Sequence, residues 1–361
     1  MKLIGYLFIL VLAAVPASAF HQNLVSNKID KLALDPYAAA WDKAVAVKVA
    51  VAPQKLVVPQ GGGVIAGVEV QSLRTAAEIF FRLRWADPTK SDDLELSGQF
   101  VDAIALEFPL MTGSLPAPMM GERGKPVNVW RWSAAMDKAE HYPKAYSDYY
   151  RPDAIHTTIK YPAKPEDLVA EGWGTIGRRE TQAVDGAGDW KDGTWTVVLR
   201  RKLKAPGGAA FPGGTVVPFA LAVWEGGCAE RGPAKSFAVW NNLLLDRAAP
   251  AMPKNPLVAG KMVYQRYGCA VCHGVDAMGG VPNPGSQVDP MPALNRVAEG
   301  FTEDEVKAVI LNGRNATPKD PNGIAPRLHM NSWKTLMDQE EVDALTDYLF
   351  SLMPKGEKTE F

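Results

Sequence analysis

The chain has 361 residues, 47% hydrophobic and 22% charged, enough to build about two globular cores. Its formal net charge of -1 makes neither nucleic acid nor an acidic membrane an obvious partner. Three cysteines exclude a scaffold stapled by many disulfides, so packing and cofactors must hold the fold.

Residues 1–19, within "MKLIGYLFILVLAAVPASAF", carry one lysine, an apolar run from Leu3 to Val15 and the small-x-small ending Ala17-Ser18-Ala19. This is the pattern of a Sec-type signal peptide, and it predicts a periplasmic, extracytoplasmic protein. The run is short for a membrane span, although retention as an anchor stays open, and no later stretch is apolar enough to cross a bilayer. From residue 20 to residue 247 the hydrophobic period is two. "IFFRLRWAD" alternates Ile79, Phe81, Leu83 and Trp85 against Arg82 and Arg84, and "VVPFALAVWEG" puts Val217, Phe219, Leu221 and Val223 on one face. "FVDAIALEFP", "VNVWRWSA" and "TWTVVLRRKL" read the same way. With turns such as "APGGAAFPGG" between them, these runs predict a mainly β fold, an antiparallel β-sandwich with a few helical insertions. "PQGGGV" reads as a short loop.

Residues 248–254 lie in "DRAAPAMPKNP", a proline-rich stretch without periodicity that predicts a linker. Beyond it, residues 255–361 read as an all-α domain. Val258, Met262 and Val263 mark one side of a first helix; Thr302 and Glu305 have capping-box spacing before "VKAVILNG". Asp338 and Glu341 repeat that spacing before the stripe Val342, Leu345, Leu349 and Leu352. Within "GCAVCHGV" lies C-x-x-C-H, whose two thiols, Cys269 and Cys272, are spaced to add across the vinyl groups of one haem c while His273 reaches its iron. A zinc site would need a second ligand pair, and Cys228 stands alone; a redox dithiol would sit in a βαβ pattern. From about Asn255 to Pro354 the order of helix, C-x-x-C-H, loop, helix, methionine loop and helix resembles class I cytochrome c. The resemblance implies Met330 as the sixth iron ligand, with His329 beside it as the alternative and Met278, Met291 and Met337 in less suitable positions.

Three blocks upstream, "APMMGERGKPVNVWRWSAA", "EGWGTIGRRE" and "WEGGCAERGPAKSFAVWNNLLL", follow "SGQFVDAIALEFPL" in order. Over roughly residues 40 to 247 the chain resembles the haem b-binding γ subunits of type II DMSO reductase-family molybdoenzymes, which act on ethylbenzene, dimethylsulfide, chlorate, selenate, nitrite or nitrate. The resemblance implies a non-covalent haem b held by a methionine and a lysine. The methionine maps to Met120, with Met119 the close alternative, and the lysine to Lys235. On its own chemistry a lysine is ordinarily a solvated charge. To bind iron its amine must lose a proton, which demands a buried site and neighbours such as Phe237, Val239 and Trp240. His141 and His156, in "EHYPKAYSDYYRPDAIH", read as loop residues rather than a bis-histidine site.

Most γ subunits stop after the sandwich. The appended cytochrome is the arrangement associated with nitrite oxidoreductase-type γ subunits. The expectation is therefore an electron-transfer subunit that does no substrate chemistry itself. It would pass electrons between an iron-sulfur subunit beside a molybdopterin catalytic subunit and a soluble cytochrome or other redox carrier. The rivals are a carbohydrate-binding sandwich fused to a cytochrome, with Trp130, Trp132 and Trp173 as a sugar platform, and an enzyme whose haem b has an open ligand position.

Overall fold

A computed structural model describes residues 22–93, 98–138 and 164–354. The signal segment, His141 and His156 lie outside the described residues. Fourteen strands are found among those described. They are β1 (Asn23–Lys28), β2 (Val47–Ala50), β3 (Ala52–Pro53), β4 (Gly67–Arg74), β5 (Glu78–Ala86), β6 (Ala103–Pro109) and β7 (Val127–Ser133), then β8 (Glu166–Ala170), β9 (Gly177–Arg178), β10 (Asp185–Lys191), β11 (Thr194–Lys202), β12 (Thr215–Trp224), β13 (Ser236–Phe237) and β14 (Asn241–Leu245).

They form one sheet whose main path of eleven strands runs β10-β11-β5-β4-β1-β14-β12-β6-β7-β8-β9, with β2 paired to β4 and β13 to β12 and β3, curled so that its two halves face each other across a shared core. Inward residues from both halves, among them Phe81, Leu83, Trp85, Leu106, Phe108, Trp130, Trp132, Phe219 and Leu221, make that core. Phe108 meets Trp130 at 4.8 Å and Phe211 at 5.0 Å between ring centroids, in tilted and edge-on geometry that favours aromatic pairs. Each strand run predicted from period two is a strand. One departure is that β1 pairs in parallel with both neighbours: Asn23–Val25 with β14 and Ser26–Lys28 with β4. Passing from one half to the other, β1 closes the edge that would otherwise separate them. Phe80, which the alternation turns away from the core, is also fully buried, because a 3₁₀ turn at Ala39–Lys43 lays Trp41 over that face beside Leu73 and Val198.

The C-terminal region holds α1 (Pro256–Arg266), α2 (Ala270–His273), α3 (Glu303–Asn312) and α4 (Gln339–Ser351). Both expected capping boxes form: Thr302 with Glu305 and Asp338 with Glu341 satisfy backbone N–H groups that a helix start leaves open. Val342, Leu345 and Leu349 are buried on α4. On α1 the buried face is Ala259, Gly260, Val263 and Tyr264, whereas Val258 is 53% exposed. The hidden face is the one that accepts α4, and it centres on a glycine that a count of apolar residues passes over. No helix of the described residues is long and apolar enough to cross a membrane.

The helices do not hang from a tether. Leu56, Phe237 and Val239 of the β region share one hydrophobic cluster with Val263, Tyr267, Trp333 and Leu345. The Phe237 and Trp333 rings meet at 6.2 Å, edge to face. Arg266 donates to the Trp240 carbonyl at 2.6 Å, Lys55 N–H to Asn331 Oδ1 at 2.8 Å, and His329 N–H to the Leu56 carbonyl at 2.9 Å.

Candidate functional site

Two cavities adjoin in this structure. The floor of the larger follows from strand alternation: since Ile104, Leu106, Leu221 and Val223 point into the core, their neighbours must face outward. The register brings Ala222 opposite Ala105, Ala105 opposite Arg131, Ala220 opposite Glu107, and Glu107 opposite Val129. Alanines on two central strands leave a hollow where larger side chains would fill it, and the cavity over them measures about 1080 Å³. That is ample for a macrocyclic cofactor.

Met120 and Lys235 both line this cavity. Met120 has a φ of 75°, a left-handed conformation that costs a non-glycine residue on the order of 1–3 kcal/mol and persists only where its surroundings impose it. Here Met120 N–H donates to Glu107 Oε2 at 3.2 Å, and its carbonyl accepts from Gly172 N–H at 2.8 Å. Lys235 Nζ lies 5.1 Å from the centroid of the Trp224 ring, and Arg131 lies over the same ring at 5.8 Å. Burial lowers the Lys235 pKa, which favours the neutral amine, while the nearby Glu107 carboxylate opposes the shift. Burial likewise raises Glu107 to about 7, and its Oε1 has no hydrogen-bond partner. An unpartnered buried oxygen among the lining residues fits a site that receives a polar group.

The backbone at Lys235 is clamped. Its carbonyl accepts from Gln54 N–H at 3.0 Å, and a Cβ on Gly62, whose φ is +92°, would fall 2.1 Å from that same oxygen. The "PQGGGV" segment is thus the seat of the lysine loop rather than a simple connection, and only glycine fits there. Arg131, Arg178 and Arg231 also line the cavity. Glu166 pairs with Arg131 at 3.0 Å and with Arg178 at 3.8 Å. Of these residues, the outward register of Glu107 and Arg131 was legible in the strand pattern. Gln54, Gly62 and Arg231 were not, because loops bring them to the cavity.

The second cavity is a crevice in the helical region, lined by Cys269, Cys272, His273, His329, Met330, Met291 and Trp333. Burial pushes the Cys269 thiol up to about 12 and the Cys272 thiol to about 11. Reactive redox dithiols have depressed values, so this pair does not match one. Nor do the cysteines and His273 form a cluster of metal-ligating atoms; among the described residues the group of three with such spacing is Asp87, Asp102 and Glu225. His273 Nδ1 lies 3.1 Å from the Pro292 carbonyl. The Nδ1–H tautomer that donates there leaves Nε2 for a metal. Burial lowers the His273 pKa, which favours the neutral ligand form. Met330 is held by backbone hydrogen bonds in both directions with Arg314, at 2.9 and 3.0 Å. His329 Nδ1 already accepts from Ala316 N–H at 3.1 Å. Met337 is buried in the core and Met278 is 63% exposed.

Trp130 and Trp132, at 0% and 1% exposure, are core residues and cannot form a sugar platform. Trp173 instead lines both cavities.

Comparison with known proteins places this geometry in context. The sequence model of a family described as ethylbenzene dehydrogenase matches residues 38–236, and that of cytochrome c matches residues 257–353. A Haloferax mediterranei protein named as a respiratory nitrate reductase heme subunit is 32% identical over 208 residues, 57% of this chain and 66% of that relative. The chlorate reductase subunit gamma of Ideonella dechloratans is 28% identical, covering 56% and 76%, and the dimethylsulfide dehydrogenase subunit gamma of Rhodovulum sulfidophilum 29%, covering 50% and 60%. Among solved structures, a family 9 carbohydrate binding module from Caldicellulosiruptor kristjanssonii in complex with glucose aligns with 65% of this chain and all of that one, at 8% identity and a TM-score of 0.35.

Proposed function

The chain belongs to the ethylbenzene dehydrogenase family, and on that basis we propose that it is the two-haem electron-transfer subunit of an extracytoplasmic molybdopterin oxidoreductase. The observation that carries this reading is the pair of adjoining cavities, each lined by two residues that could bind iron: Met120 and Lys235 in one, His273 and Met330 in the other. When bound, haem supplies a one-electron iron couple whose potential the axial ligands tune. In the larger cavity Lys235 would offer a neutral amine and Met120 a thioether to haem b, while Arg131, Arg178 and Arg231 provide guanidinium partners for its carboxylates. In the crevice Cys269 and Cys272 would anchor haem c covalently, and Met330 in place of a nitrogen ligand favours a raised potential.

A haem held by both residues of its pair would offer no open position to a substrate. Substrate chemistry then belongs to a molybdopterin catalytic subunit, reached through an iron-sulfur subunit; a soluble cytochrome or other carrier meets haem c. The name of the Haloferax mediterranei relative, with the appended cytochrome, supports nitrite/nitrate as the first substrate pair to test, and the name of the Ideonella dechloratans relative supports chlorate next. Acidified acetone should extract one haem from the native chain and leave one attached. In stopped-flow mixing, nitrite should reduce both haems in the assembled complex and neither in the isolated subunit. Rapid reduction of the isolated subunit by nitrite would overturn the electron-transfer reading, whereas a complex responding to another substrate alone would replace just the nitrite assignment.

A further inference from the structure

The two cavities share a wall. Leu56, Met119 and Trp173 each line both of them, so these residues form the boundary between the two spaces. Met119 is the covalent neighbour of the candidate haem b ligand Met120. The two methionines diverge: Met120 packs beside the outward face of β6, β7 and β12, whereas Met119 packs with the cluster shared with the helices. On the other side stands Gly268, the covalent neighbour of the haem c attachment residue Cys269. A Cβ on Gly268 would lie 2.8 Å from the Met119 Cε and 2.9 Å from the Pro118 Cδ. The glycine therefore permits the closest approach of the two segments. From one site to the other the path runs Met120, Met119, Gly268, Cys269, with one non-bonded step.

We propose that Met119 is the bridging residue through which electrons cross between the haem b and haem c sites. This rests on the two-haem reading above. In each transfer one electron leaves a ferrous iron, which becomes ferric, and reduces the ferric iron of the other site; no bond forms or breaks and no proton moves. Methionine suits the position, being flexible enough to fill an irregular gap and polarizable at sulfur. The wall is also held in place. His329 N–H bonds the carbonyl of Leu56, Lys55 N–H bonds Asn331, and Arg266 bonds Trp240, so the separation does not depend on how the cytochrome region moves.

The test uses the full chain with both haems in place. A substoichiometric pulse of a one-electron radical reductant is followed by the separate absorbance bands of the b- and c-type haems as they re-equilibrate. Met119→Ala should slow the exchange several-fold while both static spectra stay native, and Met119→Leu, of similar volume, should restore most of the rate. Trp173→Ala, at a half-buried position in the same wall but off that path, is the control variant: it does not open the core and should leave the exchange rate near native. A native exchange rate in Met119→Ala, or equal slowing in Trp173→Ala, would overturn the route. So would a changed b-type spectrum in Met119→Ala, which would make Met119 a ligand instead. Two haems that are both present in the native chain yet never exchange electrons would overturn the proposed function itself.

Discussion

A lysine amine binds iron only without its proton, and Lys235 occupies a place where burial lowers its pKa while one carboxylate, Glu107, holds the shift in check. Replacing it with alanine removes the nitrogen donor, and Met120→Leu removes the sulfur with little change of volume. Each substitution is expected to abolish the native b-type spectrum and spare the c-type spectrum, and Met330→Leu to do the reverse. A native b-type spectrum in Lys235→Ala would remove the lysine from the ligand set. Elsewhere in the sandwich, Asp102 is fully buried and accepts hydrogen bonds from Gly226 N–H, Ser91 N–H and the Trp195 indole. Burial nonetheless raises it to about 6, with the neighbouring Asp87 adding to the rise. Because the folded state holds this proton up to a higher pH than the unfolded chain does, the Asp102 contribution is full at low pH and is lost as pH rises from about 4 through about 6. The stability of the native chain relative to Asp102→Asn, measured by urea unfolding, should therefore fall by on the order of 2 kcal/mol across that window. A difference that is flat or rises with pH would contradict the assignment.

Among the elements, α1 and α4 cross where Gly260 leaves room. A Cβ there would fall 1.9 Å from the Ala344 carbonyl oxygen and 2.5 Å from the Tyr348 Cβ. Backbone cannot yield as a side chain tip can. Gly260→Ala should accordingly cost about 1–3 kcal/mol, although alanine is the better helix former, and lower the yield of chain carrying covalent haem. Unchanged urea unfolding would show that the helices separate without cost. The capping boxes of α3 and α4 and the β-strands were legible because their signals are local: side-chain oxygens three residues from a partner, or apolar residues at period two. The buried face of α1 was not, since a glycine carries no hydropathy signal and its role exists only against another helix.

At the scale of the whole molecule, the β region and the helices share an apolar cluster and cross-hydrogen bonds, so the stretch between β14 and α1 is a connection and not the sole attachment. Arg247 and Lys254 in it are exposed. Trypsin acting there should leave two fragments that co-elute in gel filtration and separate on adding denaturant; separation in plain buffer would show that the shared cluster does not hold them. The sequence alone determined the two fold classes, because period and order along the chain encode them, and its resemblance to known proteins pointed to the family and to Cys269, Cys272 and His273 as the candidate haem c attachment residues. The same resemblance narrowed the candidate haem b ligands to neighbouring methionines and one lysine. Only the tertiary structure decided what separates Met119 from Met120, what lies over Lys235, and how the sites adjoin. Those answers depend on side chains far apart in sequence, Leu56, Met119, Trp173 and Gly268 among them, meeting at one surface that no local pattern records.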